Sequence, residues 1–233
     1  MDPSFLTTPA RRSGDPLSQA TPPPLTRTPH LLLAHGASQP VTSAFFENLT
    51  SQITARGITV HRFEFGYMAQ RRSGGSKRPP PRIDTLLPEL DSAVHAARKL
   101  ADVDGGLLFV GGKSMGGRAS SLVADRLFEA GTISGWVGIS YPFHPVGKPD
   151  NLRTGHLIGL NCPAVIVQGQ RDPFGTPPEV ANYGLSTRIA LSWIQDGDHD
   201  LKPRKRSGAT WDGNLEAAGA AVSDFIWSNV RQT

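Results

Sequence analysis

The chain has 233 residues and a formal charge of +4 at pH 7, and 38% of its residues are hydrophobic. That composition supports a packed core and excludes disorder of the whole chain, and the length fits one α/β domain or two small ones. Nine cations lie in residues 66–82 and 202–206, so the rest of the chain carries a net charge of −5. This excludes a uniformly basic surface, and with Tyr67 as the one aromatic residue in 66–82, nucleic acid is not an expected partner.

The cysteine count and the terminal sequence indicate the domain organisation and the compartment. A single cysteine, Cys162, excludes an internal disulfide framework and is interpreted as a small buried hydrophobic residue. Residues 1–29 hold seven of the twenty prolines and no apolar segment typical of a signal peptide. We therefore predict a disordered tail over 1–29 and one domain over 30–233, in a cytoplasmic protein with no membrane span.

Alternating strand and helix patterns follow the tail. Short apolar runs predict six strands, at residues 30–34, 58–65, 107–110, 136–140, 164–167 and 189–194. Apolar residues at helical spacing predict helices near residues 45–53, 86–97, 122–127 and 215–229. Residues 66–82 are predicted to be irregular because they contain two adjacent glycines and three consecutive prolines. This order predicts an α/β fold with a mostly parallel sheet of about six strands and helices on both faces.

A candidate nucleophile follows the third predicted strand. Residues 112–116 read G-x-S-x-G, with Ser114 at the centre. Glycines two residues either side relieve the crowding of a tight strand-to-helix turn, which exposes the hydroxyl to a substrate. A phosphate-binding P-loop ending at the same Lys113-Ser114 pair would need glycine where Leu107 stands, inside the predicted strand, so that alternative is set aside.

Two further residues at carboxyl ends of strands complete a candidate triad. Asp172 follows the fifth strand and His199 follows the sixth, which gives the Ser, Asp, His order of α/β-hydrolases. The alternatives are a turn or cap role for Asp172 and a solvated loop position for His199. The acids flanking His199 (Asp196, Asp198 and Asp200) are interpreted as solvated, without the remaining ligands of a calcium loop.

An oxyanion hole is expected from two backbone N–H groups. Met115 follows the nucleophile at the start of a helix, and Ala37 lies in the loop after the first strand, where Gly36 permits the necessary turn. His35 in the same loop is interpreted as a hydrogen-bonding brace and not as the catalytic base.

These motifs resemble the dienelactone-hydrolase-like group of α/β-hydrolases. Within that group the chain is similar to the small domain shared by a testis-expressed mammalian protein, an NSL-complex subunit and many bacterial proteins. The matching segments are LLAHGA at 32–37, RFEF at 62–65 with its following Arg/Pro-rich loop, GGKSMGG at 111–117, QGQRDPFG at 168–175 and GDH at 197–199. The resemblance implies a triad of Ser114, Asp172 and His199. Dienelactone hydrolases proper have a cysteine nucleophile where this chain has serine, so dienelactone chemistry is not expected.

The predicted function is hydrolysis of a small carboxylic ester or thioester through an acyl-serine, with no cofactor and no metal. The alternative is a noncatalytic interaction module with the same fold. The 22 residues from 141 to 162 are too few for a large cap over the site. A cationic rim that selects an anionic ester is a further hypothesis; the alternatives are a simply solvated rim and a rim that docks a nucleic acid or another partner. The candidate rim residues are Arg71, Arg72, Arg118, Lys205 and Arg206.

Overall fold

One seven-stranded sheet organises the chain. The computed structural model describes residues 5–11, 27–72, 74 and 79–231. The strands lie in the order β1-β3-β2-β4-β5-β6-β7, with β2 to β7 parallel and β1 antiparallel to β3. Their bounds are β1 Phe5–Thr8, β2 His30–Ala34, β3 Thr59–Phe63, β4 Leu108–Lys113, β5 Gly135–Ile139, β6 Ala164–Gly169 and β7 Ile189–Ile194. The predicted α/β fold is confirmed, with one more strand than expected.

Helices cover both faces of this sheet. They are α1 Ala44–Thr54, α2 Gly66–Arg72, α3 Ile83–Asp102, α4 Met115–Glu129, α5 Gly155–Ile158, α6 Pro177–Val180 and α7 Trp211–Val230. Successive side chains of β2 enter two different cores: Leu32 packs with α3 and α4, and Leu33 packs with α1 and α7. Because both faces of the sheet are covered, the central strands β2, β4, β5 and β6 are buried along their whole length. Within the described ranges, no helix is both long and apolar enough to cross a bilayer.

The predicted disordered tail is wrong for its first described segment. Residues Phe5–Thr8 form β1, which pairs with β3 in the register Phe5 opposite Phe63. The Phe5 ring also contacts the ring of Phe63, with centroids 6.4 Å apart. Four residues that pair with a distant strand carry too short a pattern to reveal that pairing in sequence. Residues 1–4 and 12–26 of the predicted tail lie outside the described part of the chain.

A buried hydrogen-bonded chain joins the first three strands. Nδ1 of His30 lies 2.9 Å from Nε2 of His61, and the other nitrogens of the two rings contact Asp104 and Thr7 at 3.2 Å and 3.0 Å. Burial, followed by the charge of His30, lowers the pKa of His61 to about 4. His61 is therefore neutral in the native protein near pH 7.

The segment 66–82 departs from its predicted irregularity in its first half. Residues Gly66–Arg72 form α2, and Met68 is buried. Met, Ala, Gln and Arg favour helix, and the N–H of Gly66 donates to Oε2 of Glu89 at 2.7 Å, which satisfies one of the unpaired donors of the helix start. The glycines and prolines that suggested irregularity come after this helix, and residues 73 and 75–78 lie outside the described ranges.

An ion pair between buried Lys113 and partly buried Asp200 connects the end of β4 to the loop after β7. Nζ of Lys113 lies 2.9 Å from Oδ1 of Asp200 and 5.1 Å from the centroid of the Phe45 ring. Gln39 donates to the same Asp200 oxygen at 2.9 Å. Burial raises the pKa of Asp200, but the hydrogen bond and charge of Lys113 outweigh it, so the net pKa is lowered. Lys113 directly precedes Ser114 and Asp200 directly follows His199, so the ion pair connects the two segments that carry these residues.

We expect acid to destabilise the protein through His61. The unfolded histidine binds a proton near pH 6.5 and the native one only near pH 4, so stability is complete above about 6.5 and falls as the pH drops towards 4. Between pH 7 and pH 4.5, the free energy of unfolding in urea should fall by about 2–3 kcal/mol because of His61, and His61→Gln should remove this part of the pH dependence. The exposed His95→Gln variant is the control, and an equal pH dependence in both variants would contradict the assignment.

The Lys113–Asp200 pair gives a second stability prediction. Lys113→Met leaves the Asp200 carboxylate without its buried partner, and we expect it to lower the free energy of unfolding by about 3 kcal/mol. Lys202, which is half-exposed and 4.0 Å from the other Asp200 oxygen, is the matched control. Lys202→Met should cost less than about 1 kcal/mol in the same urea titration. Equal losses in the free energy of unfolding would show that the contact with Lys113 stabilises the protein no more than the contact with Lys202.

Candidate active site

The three triad candidates lie within hydrogen-bonding distance of one another. They extend from β4, β6 and β7, whose carboxyl ends share one edge of the sheet. Nε2 of His199 is 3.0 Å from Oγ of Ser114, and Nδ1 of His199 is 2.9 Å from Oδ2 of Asp172. The fold thus brings His199 into contact with Ser114 and Asp172, which lie 85 and 27 residues away from it in the sequence.

Ser114 has the left-handed backbone of a tight strand-to-helix turn, with φ 52° and ψ −113°. Its N–H donates to the carbonyl of Ile139 at 2.8 Å, and its own carbonyl accepts the N–H of Arg118 at 2.9 Å. A Cβ on Gly112 or Gly116 would lie 2.6 Å or 2.5 Å from the carbonyl oxygen of Ala34. The turn therefore requires glycine at both positions of the G-x-S-x-G motif.

The hydrogen bonds of Asp172 define the tautomer of His199. Asp172 is fully buried, and its Oδ1 accepts the N–H of Phe174 at 3.0 Å while Oδ2 faces the imidazole. An ionised carboxylate only accepts, so Nδ1 of a neutral His199 carries the proton. Nε2 then presents its lone pair to the Ser114 hydroxyl. The ring of Phe174 packs on the imidazole at a centroid distance of 4.4 Å.

The loop after β2 lies directly against the nucleophile. A Cβ on Gly36 would be 3.6 Å from Cβ of Ser114. The hydroxyl of Tyr67 and Nη1 of Arg71 both donate to the carbonyl of Ala37, at 3.1 Å and 3.3 Å, which fixes that peptide. Met115 is the first residue of α4, so its N–H has no partner within the helix.

His35 braces this loop, as the sequence predicted. The N–H of Phe65 donates to its Nε2 at 3.0 Å, so Nδ1 is the donor to the carbonyl of Gly36 at 2.6 Å. Burial lowers its pKa, with smaller opposing contributions from Gly36 and Glu64. Both ring nitrogens are thus occupied by backbone groups.

The site carries no large cap in the described structure. The connection between β5 and β6 contains one four-residue helix, α5. Within it, Tyr141 is anchored by Gln168, whose Oε1 accepts its N–H at 2.7 Å. Cys162 at the end of this connection is buried, and burial raises its pKa to about 12.

The predicted rim residues occupy different environments. Arg71 lies over the Tyr67 ring at 5.2 Å and contacts the loop of Ala37, whereas Arg118 is half-buried on α4. Lys205 and Arg206 are exposed in a 3-10 turn over Lys205–Ser207, and their contact with a substrate stays a prediction. The side chain of Arg72 is outside the described part of the structure.

The sequence predicts that the acids around His199 are solvated, and the structure corrects this prediction. Asp196 forms hydrogen bonds with the guanidinium of Arg204, which lower its pKa to about 2. Oδ1 of Asp198 accepts the N–H groups of Asp200 and Lys202 at 2.8 Å and 2.9 Å. No group of three metal-ligating side chains occurs among the residues described. The three acids therefore hold the loop in shape, through contacts that no local sequence signal reveals.

Solved structures of similar fold include several hydrolases. Est1E from Butyrivibrio proteoclasticus, with ferulic acid bound, aligns with a TM-score of 0.67 and 15% identity, over 98% of this chain and 95% of that one. A soluble variant of monoglyceride lipase from Saccharomyces cerevisiae aligns with a TM-score of 0.65 and 13% identity, over 97% of this chain and 91% of that one. Dienelactone hydrolase from Anabaena variabilis aligns with a TM-score of 0.63 and 16% identity, over 98% of this chain and 99% of that one.

A search of curated proteins found no match. A family model described as an alpha/beta hydrolase domain matches residues 27–227, which is most of the chain. Together with the sheet order and the turn at Ser114, this match shows that the chain belongs to the alpha/beta hydrolase domain family.

Proposed function

We propose that the protein is a serine hydrolase that cleaves a small carboxylic ester or thioester through an acyl-serine intermediate. The observation that carries the proposal is the continuous hydrogen-bonded chain from Ser114 through His199 to the buried Asp172. The likeness to proteins named as a monoglyceride lipase and a dienelactone hydrolase supports an ester substrate.

In the acylation step, Oγ of Ser114 forms a bond to the carbonyl carbon while Nε2 of His199 takes the hydroxyl proton. The carbonyl oxygen becomes an oxyanion beside the N–H groups of Met115 and Ala37, each worth about 3 kcal/mol of barrier by comparison with measured oxyanion donors. Collapse of the tetrahedral intermediate breaks the bond to the leaving group, which takes the proton from His199.

In the deacylation step, the roles repeat with water. His199 accepts a proton from the water as its oxygen attacks the acyl carbon, and then returns the proton to Oγ of Ser114 as the carboxylic acid departs. Throughout both steps, the Asp172 carboxylate stabilises the imidazolium and holds its orientation. The buried carboxylate can do so without competition from solvent because Asp172 has no exposed surface.

Ser114→Ala is the primary test of this mechanism. We expect it to abolish labelling by a fluorophosphonate probe and to reduce kcat for p-nitrophenyl acetate by at least about 10³-fold. Ser92→Ala, which changes an exposed serine of α3, should retain both properties. Equal labelling and turnover in the two variants would reject the catalytic proposal in favour of a noncatalytic interaction module.

Asp172→Asn tests the role of the carboxylate. The amide can donate to Nδ1 and stabilise the wrong tautomer, so kcat for p-nitrophenyl acetate should fall by about 10⁴-fold, as it does in other serine triads. Circular dichroism should show that the fold is retained. Asp150→Asn, at an exposed position between β5 and β6, is the matched control. A kcat for Asp172→Asn within a few-fold of the control would remove Asp172 from the mechanism.

A further inference from the structure

Two arginines lie together, without an acidic partner, on the side of α4 that faces the connection between β5 and β6. They are Arg118 and Arg153, termed here the arginine pair. Ser121 connects them: its Oγ donates to the carbonyl of Arg118 at 2.8 Å and lies 3.5 Å from the Tyr141 hydroxyl, which donates to the carbonyl of Arg153. Burial, and then the charge of Arg118, lowers the pKa of Arg153. The same two causes lower the pKa of His156, so a third basic group borders the pair. In the parts of the chain that are described, neither arginine forms an ion pair with a carboxylate.

Arginines elsewhere in the structure show what this pair lacks. Arg126, two turns further along α4, binds Asp91 at 2.6 Å, and Arg98 binds Asp102 at 2.9 Å. By contrast, Nε of Arg118 is buried and has no hydrogen-bond partner among the described residues. Half-buried like charges with an unsatisfied donor are unfavourable unless an anion completes them.

An acid on the same helix, Asp125, accepts hydrogen bonds from other groups. Asp125 acts on His156, but its Oδ1 accepts the N–H groups of Asn161 and Cys162 at 2.9 Å and 2.8 Å. His156 itself is held by Oγ of Ser121, 2.8 Å from its Nε2. The protein thus fixes the surroundings of the pair and leaves the guanidinium charges unneutralised.

The arginine pair belongs to the same edge of the sheet as the nucleophile. The N–H of Arg118 donates to the carbonyl of Ser114, which places the two residues one helical turn, about 6 Å, apart along α4. Arg153 is fixed from the other side, because the hydroxyl of Tyr141 donates to its carbonyl at 3.0 Å. Tyr141 follows β5, which lies between the strands that carry Ser114 and Asp172.

We propose that the arginine pair binds a carboxylate or phosphate group carried by the substrate, so that the enzyme acts on anionic esters. A guanidinium presents several N–H donors in a planar fork that matches the oxygens of either group. Because Arg118 is one helical turn along α4 from Ser114, we expect the anionic group to belong to the acyl chain or the leaving group and not to the scissile bond. The inference rests on the proposed hydrolase function in calling the bound molecule a substrate. The existence of an anion site does not depend on that function.

The kinetic test compares two esters of similar size. Wild-type protein is assayed with mono-p-nitrophenyl glutarate, which is anionic, and with neutral p-nitrophenyl butyrate. We expect a higher kcat/KM for the anionic ester, and a fall of about tenfold or more in the anionic-to-neutral ratio for Arg118→Gln and Arg153→Gln. Arg118→Lys should retain part of the ratio because it keeps the charge. Arg126→Gln, the control on the same helix, should leave the ratio unchanged.

A binding test separates this inference from the proposed function. Glutarate and inorganic phosphate are titrated calorimetrically into Ser114→Ala protein and into Ser114→Ala/Arg118→Gln protein. Binding of either anion that is lost in the double variant supports the site, and the tighter anion identifies carboxylate or phosphate chemistry. Anion binding without hydrolysis of any ester would reject the hydrolase and keep the site. A different outcome would overturn the inference and leave the hydrolase proposal intact. In that outcome both esters are hydrolysed, the arginine variants have the same anionic-to-neutral ratio as Arg126→Gln, and neither anion binds.

Discussion

The backbone of Ser114 is held in a left-handed conformation that a residue with a side chain adopts only at a cost of about 1–3 kcal/mol. Hydrogen bonds to the carbonyl of Ile139 and from the N–H of Arg118 hold it there, one on each side of the turn. The turn also needs β2, β4 and the start of α4 to approach more closely than any Cβ permits, which is why glycine stands at 112, 116 and 117. The sheet order is thus the condition for an exposed nucleophile.

The histidine depends on a second set of contacts. His199 lies in a loop, but its partner Asp172 accepts a hydrogen bond from the backbone of Phe174, and the residue after His199, Asp200, pairs with Lys113 at the end of β4. Asp200 is therefore connected to Ser114 through Lys113, which directly precedes Ser114 in the chain. The Lys113–Asp200 ion pair thus tethers the histidine loop close to Ser114, so charge as well as packing supports the short distance between Nε2 and the serine hydroxyl.

The sequence was sufficient to predict the parallel sheet and the three residues of the proposed triad, because each candidate followed an apolar run and parallel strands end at one edge. It was insufficient where structure depends on distant partners. Asp200 had an ordinary local interpretation as a solvated acid, and Lys113 had no role once the P-loop was set aside. Only their contact gives these two residues a role. The helix over Gly66–Arg72 was hidden by the glycines and prolines that follow it, and β1 exists only through its pairing with β3.

That short first strand also determines how the molecule meets its neighbours. Without Phe5–Thr8, β3 would be the edge of the sheet and would offer a row of unpaired N–H and C=O groups to any extended chain. The strand covers that edge, and its Thr7 hydroxyl reaches His61 within the buried histidine chain. The edge of the sheet is then β1 itself, and because this strand has only four residues it offers few unpaired groups for intermolecular strand addition.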